Sequence, residues 1–261
     1  MRRPPTRATT VKLQPSFGGF GEDVIRAVSW TFTPDEFAHL WRETDLDRHP
    51  YPLRILETPR TEDEADKLRA TLEERLPLGA DPDLSACLRI LAAPHTRIVA
   101  IGGTHTPGSE IRLLAAAIFD RAVLAVQEPG SSPDFGGRVR LSIGHSGKLG
   151  TRIAGLLPAT PPGKEPARVA PTDAVRDEEV VVAQQPTAPR IRKLLLKPHS
   201  AEGHIRIEPG LDRPAPPPPI HYTWFDVKGD GRYLLRAGKE VHITPASAEQ
   251  IGAQLQKRIG A

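Results

Sequence analysis

Three apolar runs between residues 97 and 127 constrain the fold of this chain most strongly. The runs begin at Ile98, Ile111 and Val123, are rich in β-branched residues and are separated by residues that favour turns. This pattern predicts a three-strand antiparallel meander within one sheet. The first connection, residues 103–108, is longer than the two residues that a hairpin needs. Because loops that exceed their geometric need are candidates for binding, this loop is the first candidate binding element.

The composition excludes several classes of protein. The 261 residues are 38% hydrophobic, and 35 basic side chains nearly balance 32 acidic ones, so the net charge of +3 without a basic stripe predicts no nucleic-acid partner. Cys87 is the only cysteine, which excludes an internal disulfide, and its place in an apolar helical stripe predicts a small buried side chain. No apolar run reaches 18 residues. We therefore expect a cytoplasmic protein without membrane insertion.

Capping signals predict helices before the meander. Thr33 and Glu36 form a capping box, with proline at the first helical position. The same pattern recurs at Thr61, and Asp81 precedes a third apolar helical stripe. Two prolines in residues 49–55 exclude helix there, so this segment is predicted to be an extended edge strand.

The second half of the chain repeats this order of elements. Helical segments on either side of residues 185–186 precede four predicted strands at 203–208, 220–227, 232–236 and 240–243. An Asp-Gly turn at 228–231 predicts a tight hairpin. Thr244 and Pro245 are expected to cap a final helix.

The repeated order predicts the domain organisation. Residues 1–27 are expected to be poorly ordered, and residues 28–261 to form a single α+β domain. Its halves, about 28–157 and 172–261, are joined by a proline-rich connector at 158–171. We predict a quasi-twofold pseudo-repeat whose strands share one central antiparallel sheet between two helical layers.

Residues that could carry chemistry form no catalytic motif. The nine histidines match no metal-ligand spacing, and no cysteine pair supports them. His204, His221 and His242 lie on three predicted strands, where they could converge on a metal or remain as partly exposed sheet histidines. Residues 144–148 are interpreted as a helix-start turn and 226–231 as a hairpin turn. We therefore expect no cofactor, no metal and no enzymatic activity.

Short motifs along the chain occur in the order found in one known family. The first half contains Phe32-Thr33-Pro34-Asp35-Glu36-Phe37, Leu40-Trp41, Tyr51-Pro52-Leu53, Arg60-Thr61-Glu62-Asp63-Glu64 and Asp81-Pro82-Asp83-Leu84. The second half contains Trp224-Phe225-Asp226, Gly229-Asp230-Gly231-Arg232-Tyr233 and Thr244-Pro245-Ala246. Over about residues 28–260 the chain resembles the EspG proteins, cytosolic chaperones of actinobacterial type VII (ESX) secretion.

This resemblance implies both a fold and a function. The fold would be a central antiparallel sheet flanked by two helical bundles, in agreement with the pseudo-repeat. The function would be that of a specificity chaperone that caps the apolar tip of a PE–PPE-like heterodimer or another helical type VII substrate, keeps it soluble and targets it for export. The free chaperone is expected to be a monomer or a weak homodimer.

The resemblance also implies which residues bind the partner. Carried over to this sequence, the contacts fall on the loop at 102–109, on the sheet beside it and on the C-terminal helical bundle. The loop residues are Gly103, Thr104, His105, Thr106, Pro107 and Gly108. The flanking sheet positions are Ile101, Glu110 and Arg112. In the bundle, Val180, Val181 and Val182 are interpreted as core, and no residue is assigned to the partner.

Two other functions are compatible with the sequence. An interaction adaptor with the same fold would bind a larger or signal-dependent partner, whereas a chaperone predicts a stoichiometric complex with a small helical protein. A metal-assisted hydrolase would use His204, His221 and His242. Metal analysis of the purified protein tests the last of these.

Overall fold

Ten strands form one sheet in the computed structural model, which describes residues 28–132, 134–176 and 187–259. The predicted segments 1–27 and 180–182 lie outside the described residues. The strands of the first half are β1 (Ser29–Phe32), β2 (Thr96–Thr104), β3 (Ile111–Ile118), β4 (Arg121–Pro129) and β5 (Gly136–His145). Those of the second half are β6 (Arg168–Pro171), β7 (His199–Glu208), β8 (Ile220–Val227), β9 (Gly231–Ala237) and β10 (Glu240–Pro245).

Seven α-helices accompany the described strands. Those of the first half are α1 (Pro34–Trp41), α2 (Glu62–Arg75), α3 (Pro82–Ala92) and α4 (Leu149–Ala154). Those of the second half are α5 (Thr172–Arg176), α6 (Thr187–Leu195) and α7 (Ala248–Ile259). No helix among the described residues is long and apolar enough to cross a membrane.

The strand order confirms the quasi-twofold α+β fold. It runs β1-β5-β4-β3-β2-β7-β8-β9-β10-β6, and every neighbouring pair is antiparallel. Each half contains a four-strand meander, β2–β5 in the first half and β7–β10 in the second. The last strand of each meander pairs with a short strand, β1 or β6, that comes before the meander in the sequence. The first strands of the two meanders, β2 and β7, pair at the centre. The pseudo-repeat therefore relates β1–β5 to β6–β10.

Helices cover the two faces of the sheet in different ways. On one face α4 and α7 pack against the central strands, where they bury Ile98, Ile205 and Trp224. On the other face α1 and α3 cover the first half, and α5 and α6 cover the second half. Between these two groups the central strands are left open.

The open region has a defined set of side chains. Residues that pair directly across antiparallel strands share a face, so Ile101, His204 and Thr223 point to the side that carries α1 and α6. Arg97, Arg206 and His221 lie on the same face of these strands. We call these six residues the central strip. Three of them, His204, Arg206 and His221, are exposed.

A glycine contact joins the two closing helices. A Cβ atom on Gly150 would lie 2.3 Å from the carbonyl oxygen of Gly252, so the close approach of α4 and α7 requires glycine at position 150. A Cβ atom on Gly252 would have a tight contact, 3.1 Å from the Thr151 Cα. Leu149-Gly150 is followed by Ile153 in α4, and Ile251-Gly252 is followed by Leu255 in α7 with the same spacing. The closing helices of the two halves therefore share a short sequence pattern, an apolar residue, a glycine and a second apolar residue three positions later.

The predicted helix starts are confirmed at Thr33, Thr61 and Asp81. Each side-chain oxygen accepts hydrogen bonds from backbone N–H groups in the first turn of its helix, and Thr33 forms the full capping box with Glu36. Cys87 is fully buried in α3, and burial together with the nearby Asp carboxylates raises the pKa of its thiol to about 12. The cysteine is thus a core residue, as predicted.

Two local predictions are wrong. Residues 49–55 form no strand: the chain turns there, with the Leu53 N–H bound to the Pro50 carbonyl at 3.0 Å. The Gln127 side-chain amide then bonds both the N–H and the carbonyl of Arg54, in place of a neighbouring strand. Thr244 and Pro245 end β10 and do not cap α7. Ser247 caps it instead, in a reciprocal bond with Gln250.

The segment 158–171 contains more structure than a connector requires. Its last four residues form β6, which pairs with β10 at the edge of the sheet. Earlier in the segment, the Pro161 carbonyl accepts from the N–H of Arg232 at 2.7 Å. The segment is therefore bound to the second half along much of its length.

Candidate partner-binding site

The loop between β2 and β3 is held by hydrogen bonds within itself. The Ser109 hydroxyl accepts from the Thr104 N–H at 3.0 Å and donates to the Thr106 carbonyl at 2.6 Å. The Thr104 hydroxyl in turn accepts from the Thr106 N–H at 3.1 Å. Residues 104–108 are all exposed. The connection is thus a preformed projection, because hydrogen bonds among Thr104, Thr106 and Ser109 hold its conformation.

The loop is also fixed to the second half of the sheet. The His105 ring bonds the carbonyl of His199 through Nε2 at 3.1 Å. At the base of the loop, Gly102 pairs with Gly203 of β7, and a Cβ on either residue would lie within 3 Å of the Trp224 ring. Gly102 has a φ of +154°, a backbone angle that residues with a side chain rarely adopt. The approach of β2, β7 and the indole therefore depends on glycine.

The flanking positions lie at different depths. Ile101 and Glu110 are half-buried beside the loop, whereas Arg112 is 7% exposed. Ile101 pairs with Arg112, so both point to the face of the central strip. The structure thus brings the nine predicted residues together at one end of the sheet, with Arg112 beneath the surface.

One exposed residue of this region was missed by sequence reasoning. Leu196 follows α6 and is 80% exposed, whereas Ile191 and Leu194 of the same helix are buried. It lies three residues before His199, to which the loop is bonded. The sequence does contain a signal for it: Leu194, Leu195 and Leu196 are consecutive, and an amphipathic helix cannot bury all three on one face. Leu196 is therefore an exposed apolar side chain in the segment that leads from α6 to His199.

The three histidines proposed for a metal do not converge. His204 and His221 belong to the central strip, and His204 bonds the Thr223 hydroxyl at 3.0 Å. His242 pairs with Arg236, one residue away from the Leu235–Ile243 pair, so it points to the opposite face. No group of three metal-ligating side chains occurs within residues 28–132, 134–176 and 187–259. Of the two alternatives that the sequence left open, the structure supports exposed sheet histidines and not a shared site.

Comparison with known proteins identifies the family. The model of the EspG family matches residues 33–257. The chain belongs to the EspG family. A search of curated protein sequences gave no match.

A solved structure has the same fold as this EspG chain. It is the type VII secretion system chaperone EspG5 of Mycobacterium tuberculosis, determined in complex with a PE25–PPE41 dimer. The TM-score is 0.60 at 17% sequence identity, over 89% of this chain and 95% of that chain. At this identity the similarity establishes the fold.

A polar network lies at the β8–β9 turn of the EspG sheet and includes Lys197, the residue after Leu196. The Tyr233 hydroxyl donates to Asp230 at 2.7 Å and accepts from the Glu165 N–H at 2.9 Å. Lys197, next to Leu196, lies 3.8 Å from Glu165 and 3.9 Å from Asp230. The network therefore ties the segment after α6 to the β8–β9 turn and to the segment before β6.

The network shifts two pKa values in opposite directions. Burial by itself would raise the pKa of Asp230, but hydrogen bonds from the Lys164 N–H and the Tyr233 hydroxyl, with the charge of Lys197, hold that pKa below its usual value. Burial and the bond to Asp230 raise the pKa of Tyr233 to about 12. The tyrosine therefore resists deprotonation in the folded state.

Tyr233→Phe is expected to reduce the loss in the free energy of unfolding that occurs as the pH is raised. Because the pKa of Tyr233 rises from 10.0 unfolded to about 12 folded, its contribution is complete below pH 10 and is lost as the pH approaches 12. Urea unfolding at about pH 8 and about pH 11 measures this loss in wild type and variant. The variant should lose less stability over this interval. Equal losses in the two proteins would show that the hydroxyl does not carry the effect.

Proposed function

We propose that this EspG protein is a cytoplasmic specificity chaperone that caps the apolar tip of a PE–PPE-like heterodimer or a similar helical type VII substrate. The observation that carries this proposal is the family match over residues 33–257. The fold shared with EspG5, which was determined bound to a PE25–PPE41 dimer, supports it. The role requires binding only, so no catalytic activity is assigned.

The proposed partner surface combines apolar and polar groups. Leu196 offers an exposed apolar anchor, the loop is bonded to the nearby chain at His199, and the central strip provides charged and hydrogen-bonding side chains. Covering an apolar helical tip lowers the concentration of its aggregation-prone free form. A stable complex of this kind buries on the order of 1,200–2,000 Å² in total. In this proposal the loop, Leu196 and the strip supply the contacts that such a complex needs.

The proposed contacts include eight residues carried over from the sequence together with Leu196. The loop residues 103–108 and the half-buried Ile101 and Glu110 contact the substrate directly in this proposal. Arg112 supports them from beneath, since its side chain is buried. We also propose that residues 28–261 act as one domain, because the substrate surface uses both halves. The halves are 28–157 and 172–261, and the segment 158–171 that joins them adds the strand β6 to the second.

Leu196→Asp is expected to weaken substrate binding by about tenfold or more, because a charge would replace an exposed apolar anchor. Replacement of residues 103–107 by a two-residue turn should have a similar effect. Binding is measured by titration calorimetry with a helical type VII substrate that co-purifies with the wild-type chain. The matched control is Phe119→Asp, because Phe119 is 84% exposed and lies in the turn at the opposite end of β3.

The Phe119→Asp control distinguishes an effect at the proposed surface from an effect of replacing any exposed apolar side chain by a charge. Phe119→Asp should bind the substrate like wild type, and circular dichroism confirms that each variant is folded. If Leu196→Asp and the shortened loop both bind normally, the surface is wrong. If a larger, signal-dependent partner is bound instead of the heterodimer, the adaptor function replaces the chaperone.

A further inference from the structure

The connection between β7 and β8 is much longer than its geometry requires. Ile207 of β7 and Ile220 of β8 are direct antiparallel partners, so a two-residue turn would suffice to join the strands. The chain instead inserts residues 209–219, of which 214–219 read Pro-Ala-Pro-Pro-Pro-Pro. In the quasi-twofold fold this connection corresponds to the candidate partner-binding loop between β2 and β3. It lies at the opposite end of the central strands.

The proline run is exposed and cannot pair with a strand. Residues 212–219 are all exposed. Five of the six residues from 214 to 219 are prolines, which carry no N–H, so the run cannot complete the hydrogen-bond ladder of a sheet. Consecutive prolines favour the polyproline II helix, whose carbonyl groups and proline rings remain available to a partner.

The run is held at its base by defined contacts. The Leu211 N–H donates to the His95 carbonyl at 2.8 Å, and the Arg213 N–H donates to the Gly210 carbonyl at 3.1 Å. Gly210 has a φ of +64°, and the Pro217 ring packs close to it: a Cβ atom added to Gly210 would lie 3.2 Å from that ring. At its other end the run enters β8 at Ile220. Fixed ends and rigid prolines reduce the entropy lost on binding.

We propose that Pro216 to Pro219 form a second interaction surface, which binds a protein domain with an aromatic-lined groove that accepts polyproline II segments. With three residues per turn, Pro216 and Pro219 project from the same edge of such a helix, which is the PxxP arrangement that these grooves bind. Arg213 lies three residues before Pro216, so an acidic side chain at one end of the groove complements this surface. The surface is separate from the substrate site and does not depend on the chaperone function.

Titration with an isolated SH3 domain that has an acidic specificity pocket tests this proposal on the full chain. The domain should bind the wild-type protein, and Pro216→Ala/Pro219→Ala should weaken binding by about tenfold or more. The matched control, Pro217→Ala/Pro218→Ala, removes the same number of prolines but keeps both PxxP positions and should retain most of the affinity. Arg213→Glu should weaken binding as well, because it repels the acidic pocket.

Two results would overturn the proposal. One is no binding of the SH3 domain to the folded wild-type chain at about 1 mM, while a synthetic peptide of residues 208–221 binds it. The other is an equal loss of affinity in the two double variants, which would show that no PxxP register is recognised. Titration of the same variants with the PE–PPE heterodimer should give wild-type affinity, so the two binding functions are distinguishable.

Discussion

Asp226→Ala is expected to destabilise the protein by about 3–5 kcal/mol, the cost of leaving a buried charge without its partner. Arg232 is fully buried, and its guanidinium donates to both carboxylate oxygens of Asp226, at 2.6 and 2.7 Å. It also donates to the Pro158 carbonyl at 2.6 Å and lies 5.1 Å from the centre of the Trp224 ring. Without the carboxylate, one positive charge remains in the core. Urea unfolding monitored by tryptophan fluorescence measures the loss.

An exposed ion pair provides the control for this prediction. Asp66 and Arg69 are more than half exposed and 2.8 Å apart, so Asp66→Ala should cost less than about 1 kcal/mol. The double variant Asp226→Leu/Arg232→Met should be more stable than Asp226→Ala, because it removes the charge together with its partner. A loss below about 1 kcal/mol for Asp226→Ala would contradict the role given to the pair.

Gly203→Ala should cost about 3 kcal/mol or more, since its methyl group has no space at the centre of the sheet. A Cβ at this position would lie 2.3 Å from the Ile101 carbonyl oxygen and 2.7 Å from the Trp224 ring. The carbonyl belongs to the strand that joins the two halves, so relief of the clash would separate β2 from β7. The free energy of unfolding from urea titration measures the effect.

Gly238→Ala is the matched control for the central glycine. Nothing lies within 4 Å of a Cβ at Gly238, and this glycine has no unusual φ. The stability of the variant should therefore change by less than about 0.5 kcal/mol, or increase slightly through a less flexible unfolded chain. Similar losses for the two variants would show that the close approach of β2 and β7 is not the cause.

Local sequence signals predicted most of the sheet. The apolar runs that begin at Ile98, Ile111 and Val123 became β2, β3 and β4, and the Asp-Gly turn at 228–231 separates β8 from β9. Capping at Thr33, Thr61 and Asp81 was also predicted. These features depend on residues close together in the chain, and their patterns can be read without knowledge of distant partners.

Features that depend on distant partners escaped prediction. The strand β6 is only four residues long and exists because it pairs with β10, far along the chain. Residues 49–55 have the composition of an edge strand, but the Gln127 side chain takes the place of the neighbouring strand. The pairing of β2 with β7 was anticipated only as one shared sheet, since no local pattern specifies which strands meet.

The candidate site was predicted in its position and not in its full content. The loop at 103–108 stood out by its length, which sequence alone shows. Leu196 became notable only when the packing of α6 showed that Ile191 and Leu194 are buried and Leu196 is not. The separation of His242 from His204 and His221 required the register of four strands. Side-chain direction is therefore what the structure adds to the sequence.

The measurement that tests the chaperone function most directly is the mass and stoichiometry of the purified complex. The EspG chain is co-expressed with each candidate PE–PPE-like pair that its own genome encodes, and the products are analysed by size-exclusion chromatography with light scattering. We expect one chaperone bound to one heterodimer, and more soluble PPE protein than when the pair is expressed alone. If the folded chain elutes apart from a soluble heterodimer, it is not the chaperone of that substrate, and family membership would then indicate only the fold.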